Sequence, residues 1–405
     1  MHVAMISTFP PQACGIATYT KYLLDGFDAS DPTLRVTVLS EYAAGSHGSA
    51  GVIPSFDAEG EYEVQLLARL SALDVDIVHL QHEYGIFGLD DRLLRLLRGV
   101  RARGLPIVLT MHTVHTDLSF DLGCSWRRGR PSLEGFEIEK YQREVCELAD
   151  AVVTHQKVPM GEVLIRQGVD RGKVRSIPHG TRIPVANIAR ADGRRVDADP
   201  AAPTLLAFGY FEVSKNVRTL LEAFSLLLTD IPQAQLVVGA HIRFPNAENL
   251  AALDACRRVV EDQALVGHVT FTEEPVPEVE VEATFASADV ACLVYDEDSR
   301  SSSGAAHRAI GCAVPVIAAR ISKFAEIAEI SDELLVDPHS PKAIARLLHR
   351  VLTDEVFQSH IAARAHSFAE ATSWNRVAID HMCLYRSLVG LGSARHEHAS
   401  SHAWA

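Results

Sequence analysis

The chain has 405 residues, 47% of them hydrophobic and 22% charged, with a formal net charge of -14. That length exceeds one small core and implies two domains. The acidic balance argues against a nucleic-acid partner and against a wholly basic membrane-facing surface.

From the N-terminus, residues 3–7 form a short apolar run that reads as a buried strand. No signal-peptide apolar region precedes it, and no apolar run approaches the roughly 20 residues of a spanning helix, so a cytoplasmic location is expected. Cys14-Gly15-Ile16-Ala17 opens a helix, with Tyr19, Tyr22, Leu23 and Phe27 at helical spacing. Strands follow at 34–40, 76–81 (DIVHLQ), 106–111 (PIVLTM), 151–154 and 174–177, with helices at 64–73, 91–103, 137–148 and 160–167. The pattern breaks between Val185 and Pro203, a stretch of Asp, Arg, Gly, Ala and Pro. It then resumes with strands at 205–209, 235–239, 269–271, 290–295 and 334–336. Helices at 216–228, 250–263, 279–287 and 341–352 alternate with them, and residues 362–391 are helical in two pieces with Trp374 at the joint. Repeated strand-helix alternation predicts parallel sheets covered on both faces. The fold class is therefore α/β: two doubly wound, Rossmann-like domains facing across a cleft. The boundaries are drawn at 1–186 and 204–365, with 187–203 as linker, 366–391 as a helix returning to the first domain and 392–405 as a disordered tail.

Seven scattered cysteines without a CxxC pair fit free thiols, not a disulfide framework or a zinc site. No metal or cofactor is expected, with metal binding at the Asp296 and Asp298 spacing kept as a minor alternative. The chemistry is expected at loops that follow strands. Gly15 and Ile16 stand where a strand turns into a helix, so a ligand can approach the backbone and its N-terminal dipole. His82 and Glu83 open the loop after DIVHLQ. His112 follows the 106–111 strand and is placed to bond a sugar hydroxyl or a developing charge. Lys215 precedes a helix and is placed to neutralise a diphosphate. The stretch 295–319, YDEDSRSSSGAAHRAIGCAVPVIAA, joins an acidic trio to a small polar run, Ser301 to Gly304, just before a helix. Its free N–H groups and hydroxyls suit phosphate or sugar oxygens.

These stretches together resemble a retaining glycosyltransferase of family 4 with the GT-B architecture, over roughly residues 1–391. The resemblance is carried by STFPPQACGIATYTKYL, DIVHLQHEYGIFG, IVLTMHTVHTD, KVRSIPHGTRIP, FGYFEVSKNVRTLLEAF, ASADVACLVY and AAHRAIGCAVPVIA. It implies a nucleotide diphosphate sugar donor, a hydroxyl acceptor and front-face attack without a metal. It gives Gly15 the donor phosphates, His112 the donor sugar and Lys215 the diphosphate. It gives Trp374 the turn of the C-terminal helix back onto the first domain. The chain also departs from the family pattern. The Arg expected beside Lys215 is Tyr210, and the two family Glu residues fall on Arg300 and Arg308. Glu297 or Asp298 is the candidate for the first carboxylate, and His307 the candidate ribose partner in place of the second. Ser302, Ser303 and Gly304, with Arg300, are the candidates for the diphosphate charge that Tyr210 lacks. Two other readings stay open: a nucleotide-sugar 2-epimerase or phosphorylase using the acidic trio, and a non-catalytic binding relative. On the 91–103 helix, Arg92, Arg95 and Arg98 read either as a dock for anionic lipid or, preferably, as the solvated face of an amphipathic helix.

Overall fold

The buried apolar runs of the sequence become the strands of parallel sheets, enclosed on both faces as such sheets require. The computed structural model describes residues 1–42, 51–116, 137–184, 202–243, 245–297 and 300–401, with side chains to 390. The chain divides into two compact units. One takes in Met1–Gly180, Ser299–Ser302 and Trp374–Ala405, the other Thr181–Asp298 and Ser303–Ser373.

In the first unit the strands are β1 (His2–Ser7), β2 (Arg35–Glu41), β3 (Val52–Phe56), β4 (Ile77–His82), β5 (Ile107–Met111), β6 (Thr113–Val114), β7 (Ala151–Thr154) and β8 (Val174–Ser176). Seven of them form a sheet in the order β3-β2-β1-β4-β5-β7-β8. Every residue of β1, β4 and β5 is buried. Strand β3, absent from the sequence reading, is an edge strand that carries Pro54, a position where the missing N–H costs no ladder bond.

The second unit holds β9 (Thr204–Ala207), β10 (Gln235–Gly239), β11 (Val269–Thr272), β12 (Val290–Leu293), β14 (Val316–Ala319) and β15 (Leu335–Val336), in the order β11-β10-β9-β12-β14-β15. This is the strand order of the doubly wound dinucleotide-binding sheet. The remaining strand, β13 (Arg300–Ser301), pairs antiparallel with β6 and so counts with the first unit.

The first segment of the first unit ends at Gly180, earlier than the boundary drawn at 186. Thr181 already donates its N–H to Thr372 O at 2.8 Å, and its hydroxyl meets Thr372 Oγ1 at 2.7 Å. The linker 187–203 lies outside the described residues except for its last two. The last helix, Trp374–Ser401, begins at the predicted joint and packs in the first unit. Its backbone runs through residues that the sequence reading assigns to a disordered tail; 402–405 lie outside the described residues. A Cβ on Gly180 would stand 2.2 Å from the Trp374 ring, so this glycine is what lets the indole lie flat against the chain.

The arginine-bearing helix resolves as the amphipathic one, over Asp91–Arg101. Leu93, Leu94, Leu96 and Leu97 are buried in the first unit's core. Arg92 donates to Asp90 and to the Ala58 and Gly60 carbonyls, and Arg95 pairs with Glu63 and Asp91. Charges neutralised in this way do not support a lipid dock. Among the described residues no helix is long and apolar enough to cross a membrane.

Candidate functional site

In an open doubly wound sheet, ligands settle past the carboxyl ends of the strands where the strand order reverses. In the second unit that point lies between β9 and β12. Gly209, at φ +120°, turns the chain out of β9. The loop then passes Tyr210 and a short 3-10 turn, Val213–Lys215, into the helix Val217–Leu227. Asn216, left-handed at φ 54° and ψ 36°, makes the junction. Its amide donates to Val294 O at 3.1 Å and Pro338 O at 2.8 Å, and its Oδ1 accepts from Thr219. Asp296 N–H donates to Ser214 O at 2.8 Å. The Lys215 loop is thereby pinned to the loop after β12, and Lys215 Nζ lies 3.9 Å from the centre of the Tyr295 ring. Tyr295 is buried, and burial pushes its phenol up. It therefore presents the ammonium with a neutral aromatic face.

The other candidates of the second unit divide. Glu297 pairs with Lys323 Nζ at 2.7 Å, so this carboxylate is engaged by a lysine that the sequence reading did not single out. Asp298 lies outside the described residues. Tyr210 packs beside His241, with the Arg243 guanidinium 5.6 Å from its ring centre. Ser303 caps the helix Gly304–Gly311, its Oγ accepting from Ala306 N. His307 is not the open ribose partner expected. It is 1% exposed, its Nδ1 is 2.6 Å from Thr181 Oγ1 and its Nε2 is 3.3 Å from Glu326. Arg308 pairs with Glu278 at 2.7 Å.

Arg300 and Ser302 fall with the first unit, not with the Ser303–Gly304 helix start. Arg300 pairs across the two-stranded ribbon with Val114, and Ser301 with Thr113. Local reading could not find this, since a two-residue pairing over such a separation leaves no periodic signal.

In the first unit the order reverses between β1 and β4, and the loops after them carry Gly15 and Glu83. Gly15 starts the helix Gly15–Ser30, and a Cβ there would meet nothing within 4 Å. Ile16 leans on the core. His82 is fully buried, edge-on to Tyr84 at 4.7 Å, and burial holds its imidazole down at about 3. Glu83 caps the next turn, accepting from Tyr84 N at 3.0 Å and from the Thr113 hydroxyl at 2.8 Å.

His112 is buried beyond β5. Its Nε2 donates to Gln81 Oε1 at 2.8 Å, and its Nδ1 lies 3.0 Å from His155 Nε2. Tyr19 packs edge-on to its ring at 4.7 Å. Burial, reinforced by the neighbouring histidines, keeps His112 well below the usual imidazole range. A histidine held in this way is a fixed neutral dipole and not a base with a free lone pair. Gln81 and His155 were missed because each reads locally as an ordinary strand or loop residue.

Residues 15–183 match a family model described as Glycosyltransferase Family 4, and residues 202–354 one described as Glycosyl transferases group 1. The D-inositol 3-phosphate glycosyltransferase of Corynebacterium urealyticum is 26% identical over 341 residues, 80% of this chain and 74% of that protein. Among solved structures, sucrose-phosphate synthase from Thermosynechococcus elongatus superposes with a TM-score of 0.71 at 20% identity, over 96% of this chain and 100% of that one. HepE from Anabaena, in complex with UDP, gives 0.69 at 14% identity over the same shares.

Proposed function

We propose, since the chain belongs to the family 4 glycosyltransferases, that it moves a sugar from a nucleoside diphosphate sugar to a hydroxyl acceptor with retention at the anomeric carbon. The observation that carries this reading is Lys215 at the strand-order reversal of the second unit, its loop tied down by Asn216 and its ammonium set on Tyr295. A leaving diphosphate gains negative charge, and a fixed cation lowers the barrier by opposing that charge without reorganising. HepE, solved with UDP and with UDP-glucose, supports a nucleotide sugar as donor.

In the proposed step the bond from the anomeric carbon to the phosphate oxygen breaks, and its electron pair goes to the diphosphate. The acceptor oxygen bonds to the same face of that carbon. Its proton passes to the departing phosphate oxygen. Neutral His112, with Nε2–H committed to Gln81, supports this route over one that uses it as general base.

The epimerase reading needs carboxylates poised in the site, and the Glu297–Lys323 pair weighs against it. The test is a thermal-shift screen of the wild type and Lys215→Ala against UDP-, GDP- and ADP-sugars. A tight ligand raises apparent stability by mass action. At least one donor stabilises the wild type and fails to stabilise Lys215→Ala. Equal shifts in both would remove Lys215 from the site.

A further inference from the structure

Lys215, Glu297 and Lys323 follow three neighbouring strands, β9, β12 and β14, at their carboxyl ends. Tyr295 lies among them. Lys215 Nζ is 3.9 Å from the centre of its ring, and its phenol feels the charges of Lys323, Glu297 and Glu212. Lys323 sits in the 3-10 turn Ser322–Phe324 after β14 and meets Glu297 at 2.7 Å, with the two side chains 16% and 20% exposed. The pair is sheltered enough for its charges to matter and open enough for a ligand to reach. A diphosphate carries more charge than one lysine balances.

We propose that Lys323 is the second cation of the diphosphate site, with the Glu297 carboxylate occupying it until a phosphate oxygen takes its place. This rests on the reading that the second unit holds the donor. Two lysines, after the strands that flank β12 on either side, then grip the diphosphate, and Glu297 competes with the ligand for one of them. The competition sets a pair of opposite signs that a merely structural ion pair would not produce. Removing the cation weakens binding, and neutralising the carboxylate strengthens it.

The experiment is calorimetric titration of the full chain with UDP, and in parallel with GDP and ADP, at fixed ionic strength. Lys323→Met weakens binding of the preferred nucleotide by about tenfold or more, and Lys323→Arg keeps it within about threefold, since charge is what the phosphate reads. Glu297→Gln tightens binding by about threefold or more. The double variant Lys323→Met/Glu297→Gln matches Lys323→Met alone, because the carboxylate acts only through the lysine. Unchanged affinity in Lys323→Met overturns the proposal, as does a Glu297→Gln that weakens binding. If Lys323→Met fails to fold, Glu297→Gln decides the matter by its sign. Loss of binding in Lys215→Met with full binding in Lys323→Met leaves the donor reading standing and removes Lys323. A wild type that binds none of the three nucleotides removes both.

Discussion

Mild acid should loosen the first unit and spare the second. His79, His82 and His115 are buried in the first unit, and burial holds them down at about 3, about 3 and about 4. An unfolded histidine titrates near ~6.5. Their folded values are depressed, so the neutral native state is fully stable above pH ~6.5 and loses stability as pH falls toward 4 and 3. Between pH 7 and pH 5.5 each of the three costs about 1.3 kcal/mol, or about 4 kcal/mol together. His112 and His381 are shifted the same way, also mainly by burial, and add to the loss. That is a large part of the roughly 5–15 kcal/mol that holds a typical domain together. Hydrogen exchange at pH 7.0 and 5.5, corrected for intrinsic rates, reads it strand by strand. Protection in Ile77–His82 and Ile107–Met111 should fall by about three orders of magnitude, while that in Val290–Leu293 falls far less. Equal losses in the two units, or a fall of less than about tenfold in the first, would refute the reasoning. Replacing His381 with Phe should flatten the pH dependence, since burial lowers this imidazole and neither ring nitrogen has a hydrogen-bond partner among the described residues.

Two glycines give opposite expectations. Gly15→Val adds a side chain where a Cβ meets nothing within 4 Å, so melting should change by no more than about 0.5 kcal/mol while donor turnover falls. Unchanged turnover would show that no ligand approaches that turn. Gly180→Ala drives a Cβ into the Trp374 ring, which is buried and hemmed in by Tyr19, Tyr22 and His179 at 4.9, 5.8 and 5.7 Å. Overpacking there should cost about 1–3 kcal/mol in urea unfolding, and a variant as stable as the wild type would contradict the packing described.

The alternation of strands and helices was legible because parallel sheets bury both faces. Runs such as VAMIS, IVLTM and VACL therefore stay apolar without interruption. The helix break at Trp374 was legible for a similar reason, since SW interrupts an otherwise helical pattern at the point where the last helix starts. For the candidate site, position was legible where it follows from the residue's own strand end, as for Lys215 and Gly15. It was not legible where distant segments decide the role. Lys323 reads as a surface lysine until β14 is laid beside β12. Arg300 reads as part of the polar loop until β13 pairs with β6. His112 reads as a cleft-edge residue placed to bond a sugar hydroxyl, and its burial beside His155 depends on packing that a local pattern does not carry.

The central claim is that this chain transfers a sugar from a nucleotide donor gripped through Lys215. Its most direct measurement is release of nucleoside diphosphate, with the anomeric configuration of the product read by NMR, for the wild type and Lys215→Ala with the preferred donor and a panel of hydroxyl acceptors. The account predicts acceptor-dependent release with retained configuration in the wild type. It predicts a loss of about 10- to 100-fold in kcat/KM in Lys215→Ala, as for removal of one charge-assisted contact to a developing anion. An inverted product, or full turnover in Lys215→Ala, would contradict it.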